Sequence, residues 1–157
     1  MIHVENLTFT YAGTNQPAIK DLNFAVQPGE IFGFLGPSGA GKSTTQKILF
    51  RLLQGFQGSV KVFERDLREW GYDYYEQVGV SFEMPNHYSK LTGVENLRYF
   101  GSLYQGDVMK PETLLEMVGL KDDGEMLVSQ YSKGMRNRLS VARSLVNNPR
   151  LLFMDEP

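Results

Sequence analysis

A stretch of nine residues at positions 36–44 constrains the fold of this chain more than any other part of the sequence. It reads GPSGAGKST and fits the pattern G-x-x-x-x-G-K-[ST]. An apolar run, residues 31–35, precedes it and predicts a strand that is buried on both faces. Residues 44–53 follow it with apolar side chains at helical spacing and predict a helix. A loop between a strand and a helix is the setting in which this motif binds phosphate groups.

We call residues 36–44 the phosphate loop, because its residue types suit contact with a triphosphate. Glycines let the backbone wrap closely, so that its N–H groups converge on phosphate oxygens, and the following helix adds the positive end of its dipole. Lys42 brings a mobile positive charge to the outer phosphates, and the Ser43 hydroxyl is placed to ligate Mg²⁺. The alternative is a flexible Gly/Ser turn before a helix, for which a chance match has a frequency of about one per cent. The predicted nucleotide contacts are Gly36, Pro37, Ser38, Gly39, Ala40, Gly41, Lys42, Ser43 and Thr44.

Composition and charge exclude several classes of protein. The chain has 157 residues, of which 41% are hydrophobic, and this predicts one globular domain with a packed core. A net charge of −2 provides no field for nucleic acid, and the absence of cysteine excludes disulfides and cysteine metal sites. We find neither a run of 18 apolar residues nor a signal peptide, so we expect a cytoplasmic location and no nucleic-acid partner.

Apolar spacing and turn signals predict alternating strands and helices. A capping box, Thr92-x-x-Glu95, begins one helix, Pro111 suits the first position of a second, and Ser132 suits the N-cap of a third. We therefore expect an α/β fold: a phosphate-loop NTPase core with a mainly parallel sheet, an N-terminal antiparallel β subdomain and an inserted helical subdomain. Strands are predicted at residues 2–11, 19–26, 31–35, 59–63, 78–82 and 151–154.

Two carboxylates directly follow the last predicted strand. Ligands of open α/β sheets bind at the carboxyl ends of strands, so we expect Asp155 to lie beside the strand that leads into Gly36. There Asp155 can hold Mg²⁺ through its water shell, and Glu156 can polarise the attacking water. The alternative is a strand that ends in an ordinary polar turn.

Three segments together resemble the ATPase subunit of ABC transporters. GPSGAGKST at residues 36–44, YSKGM at 131–135 and LLFMDEP at 151–157 occur in the order and spacing of that family. The middle segment is specific to the family, and its wording resembles a branch with many prokaryotic exporter-type subunits. The resemblance implies a subunit that binds and hydrolyses ATP with Mg²⁺, forms a homodimer or heterodimer around the nucleotide, and drives a transmembrane permease from the inner face of the cell membrane.

The resemblance also implies a division of the chain. It covers residues 1–157 as a single, partial ABC ATPase domain. Residues 1–84 correspond to the antiparallel β part and the phosphate-loop core. Residues 85–130 correspond to the helical insertion, and residues 131–157 to the signature helix and the strand of the second acidic motif.

Individual roles follow from the same resemblance. Tyr11 corresponds to the aromatic residue that stacks on adenine. Ser132 and Gly134 correspond to signature residues that contact the γ-phosphate of ATP on the opposite subunit. Lys133 replaces a glycine of the family, and either adds charge to that contact or points to solvent. The expected catalytic residues are Lys42, Glu83 and Glu156, and the expected metal ligands are Ser43, Glu83 and Asp155.

The sequence departs from the family in two places. Glu83 stands where the family usually has a glutamine that touches Mg²⁺ and the attacking water, and we expect it to make a weak or water-mediated metal contact. The alternative is that Glu83 points away. The chain also stops directly after the second acidic motif, before the switch histidine of the family. We therefore expect a fragment that is less stable than the intact domain and weak or inactive in hydrolysis.

Two other functions remain open from the sequence. One is a regulatory module that binds ATP without hydrolysing it, which the glutamate at position 83 favours. The other is a soluble ABC ATPase, although such proteins usually carry two cassettes or long insertions. A GTPase is disfavoured, because the chain lacks the N-K-x-D motif that reads guanine.

Overall fold

The computed structural model describes residues 1–82 and 86–155. They form an α/β fold, as predicted, with one antiparallel and one parallel sheet. The chain divides into two compact units, Met1–Gly71 and Tyr72–Pro157. The three-part division expected from the sequence stays a prediction. None of the helices in the described ranges has the length and apolar character needed to cross a bilayer.

The first unit contains a four-stranded antiparallel sheet. Its strands are β1 (Ile2–Phe9), β2 (Ile19–Val26), β3 (Gln57–Val62) and β4 (Arg65–Asp66), in the order β2-β1-β3-β4. Alternate residues of β1 and β3 are buried, and Ile2 pairs with Val62 as Val4 pairs with Val60. The unit also contains helix α1 (Lys42–Leu49) and a 3₁₀ turn, Leu67–Glu69. The N-terminal antiparallel sheet is therefore where the sequence predicts it.

Residues 31–35 do not form the predicted strand. A strand is held by hydrogen bonds to a neighbouring strand, and no strand of residues 1–82 and 86–155 pairs with this segment. The side chains of Ile31 and Leu35 are almost fully exposed. Phe32 and Phe34 instead pack their rings against Phe24 of β2, with centroid distances of 5.3 and 5.1 Å. The segment therefore has the apolar composition of a strand, but no strand among the described residues pairs with its backbone.

Helix α1 is shorter than the sequence predicts. It begins at Lys42 and ends at Leu49, whereas the apolar spacing extends to Leu53. Ile48 and Leu49 are buried as expected, but Leu52 is exposed. Arg51 has a φ of +61°, in the left-handed region, so the chain leaves the helix before Leu52 can join the buried face.

The second unit combines a two-stranded parallel sheet with three helices. The sheet pairs β5 (Val78–Ser81) with β6 (Leu151–Met154). The helices are α2 (Gly93–Gly101), α3 (Pro111–Met117) and α4 (Lys133–Ser144), with 3₁₀ turns at Tyr72–Tyr74 and Val128–Gln130. Both elements of the predicted capping box are present: Thr92 Oγ1 accepts from the Glu95 N–H, and Glu95 accepts from the Thr92 N–H. The helices pack around a shared core that includes Leu97, Leu114 and Leu139.

Candidate functional site

Gly39 and Gly41 of the phosphate loop have left-handed backbone conformations that other residues rarely adopt. Gly39 has a φ of +81° and Gly41 a φ of +85°. Gly41 is also the N-cap of α1, and a Cβ atom there would lie 2.7 Å from the Ala18 carbonyl oxygen. The path of the loop into α1 therefore requires glycine at position 41 for two reasons. Other residues rarely adopt this backbone conformation, and a side chain would collide with the Ala18 carbonyl.

The start of α1 is suited to an anion. Its N-cap is a glycine, and no side chain in the described residues caps the helix. The first N–H groups of a helix have no acceptor within it, and the helix dipole places partial positive charge at this end. Ser43 in this first turn is exposed, while Thr45 turns inward and donates from Oγ1 to the Gly41 carbonyl at 2.9 Å. The hydroxyl of Ser43 is therefore open to a ligand.

Lys42 lies folded over the phosphate loop. Its Nζ atom donates to the carbonyl oxygens of Gly36 at 2.7 Å and Pro37 at 2.9 Å. The Ala40 N–H also donates to the Pro37 carbonyl, at 3.2 Å, which closes a turn within the loop. The positive charge is thus held against the backbone whose amides are expected to meet phosphate.

Tyr11 lies next to the end of the phosphate loop, although 33 residues separate it from Thr44. Its hydroxyl and Thr44 Oγ1 are 3.1 Å apart and form a hydrogen bond. The ring meets Phe9 edge to face at 5.0 Å and is partly exposed. An aromatic face is therefore available beside the loop, where the resemblance expects a base to stack.

The signature segment, residues 131–135, presents its middle to solvent. Ser132 caps α4, and its Oγ atom accepts from the Met135 N–H at 3.2 Å. Ser132, Lys133 and Gly134 are all exposed, so Lys133 points to solvent within this chain. A Cβ atom at Gly134 would have Ser132 Oγ, at 3.9 Å, as its nearest neighbour. The fold of this chain therefore does not itself require glycine at position 134.

Two side chains that sequence reasoning did not single out support this segment. Tyr131 is buried, and its hydroxyl donates to the Asp123 carbonyl at 2.9 Å. Burial raises the pKa of this hydroxyl, and the charge of Asp123 raises it further. His87 Nε2 lies 3.0 Å from the Arg136 carbonyl and 3.3 Å from Ser140 Oγ. The contacts of His87 join residues 49 and 53 positions apart, which no local sequence pattern predicts. The contact of Tyr131 spans eight residues but belongs to no known sequence motif.

The surroundings of the His87 imidazole disfavour its protonated form. Desolvation by burial lowers the pKa of His87, and the positive charges of Arg143 and Arg136 lower it further. The hydrogen bond to the Arg136 carbonyl acts in the opposite direction. The Nδ1 atom is buried and has no hydrogen-bond partner among the described residues.

Asp155 is placed by the parallel sheet of the second unit. Its backbone N–H donates to the Ser81 carbonyl at 2.9 Å, which extends the pairing of β5 and β6 by one residue. The carboxylate therefore stands at the carboxyl ends of β5 and β6. The neighbour expected from the sequence was the strand leading into Gly36, which is not formed. That Asp155 faces the phosphate loop stays a prediction. Glu83 and Glu156 lie outside the described residues.

Each of the two units contains an oxygen donor of the kind that a Mg²⁺ ion accepts alongside nucleotide phosphates. Within residues 1–82 and 86–155, no group of three or more His, Asp or Glu side chains is placed to hold a metal. A Mg²⁺ ion that shares nucleotide phosphates does not need such a group, because it takes one or two protein ligands and completes its shell with phosphate and water. The Ser43 hydroxyl and the Asp155 carboxylate are donors of the type this ion prefers.

Comparison with known proteins defines the class. Residues 19–157 match the sequence profile of the ABC transporter family, and the chain belongs to that family. It is 58% identical over 157 residues to a fluoroquinolones export ATP-binding protein of Mycobacterium tuberculosis, covering 100% of this chain and 52% of the relative. It is 39% identical over 159 residues to the bacitracin transport ATP-binding protein BcrA of Enterococcus faecalis, covering 100% and 51%. The chain thus spans about half the length of the curated relatives it matches.

Solved structures agree with this assignment. The chain superposes with a TM-score of 0.84 on a dimeric ATP-binding cassette in a post-hydrolysis state with ADP and Pi, at 27% identity, covering 100% of this chain and 74% of that one. An ATP-binding subunit of an ABC transporter gives the same TM-score at 28% identity, covering 100% and 66%. The family and the fold class expected from the sequence are confirmed.

Proposed function

We propose that the full-length protein binds Mg-ATP at the phosphate loop and hydrolyses it to drive a membrane transporter. The observation that carries this proposal is the geometry at the start of α1. A glycine N-cap leaves the first-turn amides without a side-chain cap, and the Lys42 ammonium is held 2.7 Å from the Gly36 carbonyl. Backbone amides, a helix dipole and one mobile cation together match the charge of a triphosphate.

The chain's own residues act mainly by positioning and by neutralising charge. Lys42 moves from the loop carbonyls to the outer phosphates, while the Tyr11 ring stacks on the base. Ser43 and Asp155 hold Mg²⁺, which when bound neutralises charge on the phosphates. Glu156 orients the attacking water, and Glu83 makes a weak or water-mediated contact with the metal. Phosphoryl transfer requires little more than this from a protein.

A second ATPase subunit completes the site in this proposal. Ser132 and Gly134 would contact the γ-phosphate of the nucleotide on the opposite subunit. Their exposure supports this, as does the positive dipole end of α4, which begins at Lys133. A solved cassette with the same fold is dimeric, which supports the proposal of a second subunit. ATP binding would close the dimer and hydrolysis would release it, which gives a two-state switch.

A transmembrane permease is the proposed partner on the membrane side. The half-exposed rings of Tyr88 and Tyr99 meet at 4.8 Å between centroids, and Phe100 packs on Tyr99 at 5.5 Å. Exposed aromatic clusters of this kind favour contact with another protein. The names of relatives that act in fluoroquinolone export and bacitracin transport support a role in exporting a small antibacterial compound. The protein would then lie at the inner face of the membrane through its permease.

Phosphate release by the full-length protein separates the ATPase from a non-hydrolytic ATP-binding module. We expect turnover that requires Mg²⁺ and falls by about a hundredfold or more in Glu156→Gln. The Glu83→Gln variant should change both the rate and its Mg²⁺ dependence. ATP binding without any turnover would favour the regulatory module instead.

Purification from membranes separates the transporter subunit from a soluble ABC ATPase. We expect the full-length protein to copurify with a multi-span membrane protein. Substitution of both Tyr88 and Tyr99 by serine should weaken that association while leaving ATP binding unchanged. Recovery of the protein entirely without a membrane partner would favour the soluble ATPase.

A further inference from the structure

Tyr131 anchors the residue that precedes the signature serine. Its side chain is 2% exposed, and its hydroxyl donates to the Asp123 carbonyl oxygen at 2.9 Å. Asp123 belongs to the turn between α3 and the 3₁₀ segment Val128–Gln130. The hydroxyl therefore ties the entry of α4 to a separate part of the second unit.

The same hydroxyl fills a space that the start of α2 leaves open. A Cβ atom at Gly93 would lie 2.4 Å from Tyr131 Oη, and its next neighbour, the Gly124 carbonyl oxygen, would be 3.3 Å away. The Val94 N–H donates to that Gly124 carbonyl at 3.0 Å, which holds α2 and the turn together. The absence of a side chain at Gly93 thus makes room for the tyrosine hydroxyl.

The backbone of Tyr131 is held as firmly as its side chain. Its carbonyl oxygen accepts from the guanidinium of Arg136, one turn into α4. The backbone N–H of Arg136 donates in turn to the Ser132 carbonyl at 3.0 Å. Ser132 itself remains exposed between these fixed points. Its position therefore depends on where Tyr131 is anchored.

We infer that Tyr131 is a positioning residue for the contact between subunits. Its hydroxyl fixes Ser132 and the N-terminus of α4 relative to α2 and the Asp123–Gly124 turn, so that both meet the nucleotide of the opposite subunit in one orientation. This inference rests on the proposed function. Tyr131 does not touch nucleotide, and its removal should leave binding of ATP to the phosphate loop of the same subunit unchanged.

The Tyr131→Phe variant of the full-length protein tests this, because phenylalanine keeps the buried ring and removes only the hydroxyl. We would measure ATP binding at low protein concentration, and ATP-dependent dimerisation in a Glu156→Gln background, where slow hydrolysis lets the closed dimer accumulate. ATP binding should stay within about twofold of wild type, while dimerisation should weaken by about fivefold. Turnover should show a lower kcat with little change in KM.

A matched control is Tyr72→Phe, which removes a hydroxyl from a side chain that is 91% exposed. It should behave as wild type in binding, dimerisation and turnover. A Tyr131→Phe protein that dimerises and hydrolyses ATP as wild type does would overturn the inference alone. A wild-type protein that binds no ATP would overturn the proposed function, and the inference with it.

A double-mutant cycle with Gly93→Ala tests the anchor itself. Alanine alone should displace the Tyr131 hydroxyl and weaken dimerisation at least as much as Tyr131→Phe does. Once the hydroxyl is gone, the nearest remaining neighbours lie at 3.3 and 3.4 Å, so the double variant should be no worse than Tyr131→Phe. If the two substitutions weaken dimerisation additively, position 93 and the Tyr131 hydroxyl act independently. That result would contradict the inference.

Discussion

Gly134 lies in the exposed first turn of α4, where an added methyl group would make only an ordinary contact, with Ser132 Oγ at 3.9 Å. We predict that Gly134→Ala keeps or raises stability, because alanine favours a helix by up to about 1 kcal/mol over glycine. If a nucleotide on the opposite subunit approaches this backbone closely, the same change should lower ATP turnover by about tenfold or more. Chemical denaturation and phosphate release of the full-length protein measure the two effects.

The exposed Asn137→Ala, one turn further along α4, is the control for Gly134→Ala. It should change neither turnover nor stability by much, since it alters the same helix away from the proposed contact. Unchanged turnover in Gly134→Ala would remove the reason for assigning this residue to the interface.

Gly39 and Gly41 of the phosphate loop provide a matched pair. Gly39→Ala and Gly41→Ala each place a side chain at a positive φ, which costs about 1–2 kcal/mol. Only at position 41 does the new Cβ also meet a backbone atom, the Ala18 carbonyl oxygen at 2.7 Å. We therefore expect Gly41→Ala to destabilise the full-length protein clearly more than Gly39→Ala does, as measured by chemical denaturation. Equal losses would mean that the approach to Ala18 does not matter for stability.

At the scale of elements, α4 and the segment after β5 are joined by a histidine whose charge state matters. Nε2 of His87 faces the Arg136 carbonyl and Ser140 Oγ, so hydrogen-bonding requirements place the proton on Nε2 and leave Nδ1 as a buried lone pair. Protonation would add a buried N–H without an acceptor among the described residues. It would also place a positive charge near Arg136 and Arg143, which both lie on α4.

Stability should therefore fall in mild acid through His87. Burial lowers the pKa of His87 in the folded chain below the ordinary value of 6.5, so the unfolded chain binds the proton first. The stabilising contribution is complete above pH 6.5 and is lost as the pH falls through 6.5 toward the lowered value. The melting temperature of the full-length protein should decrease as the pH is lowered from about 8 to about 5. The His87→Gln variant should show a smaller decrease over the same range.

The control for this pH dependence is His3→Gln. His3 lies on β1, has a half-exposed side chain and is far in sequence from α4. The variant should keep the acid-dependent loss of the wild-type protein. If the melting temperature of His87→Gln decreases toward acid as much as that of the wild-type protein, other groups cause the loss of stability.

Elements were predictable where the signal is local and uncertain where it depends on distant partners. The capping box at Thr92 and the N-cap at Ser132 each depend on sequence signals within four residues, and both occur in the structure. Residues 31–35 carry the apolar pattern of a central strand, but a strand also needs a neighbour, and pattern alone does not provide one. The early end of α1 follows from the left-handed conformation of Arg51, which side-chain spacing does not encode.

At the scale of the whole molecule, the order of the motifs was enough to predict the family. Which side chains contact one another at the candidate site could be determined only from the fold. The phosphate loop was readable because its nine residues are contiguous. The contact of Tyr11 with Thr44 was not, because these residues are 33 positions apart and only folding brings them together. The anchoring of Tyr131 on Asp123 spans eight residues but follows no sequence motif. The chain spans about half the length of its curated relatives, and ATP-driven transport stays a proposal for the full-length protein.

The central claim is that the phosphate loop holds a triphosphate, and ATP binding by the full-length protein tests it most directly. Lys42→Ala should weaken ATP binding by about tenfold or more, equivalent to about 1.4 kcal/mol, while binding of adenosine should be too weak to distinguish the two proteins. Lys47→Ala, an exposed lysine on the same helix, should bind ATP as wild type does. Equal ATP affinity in wild type and Lys42→Ala, or no ATP binding by the wild-type protein, would contradict the account.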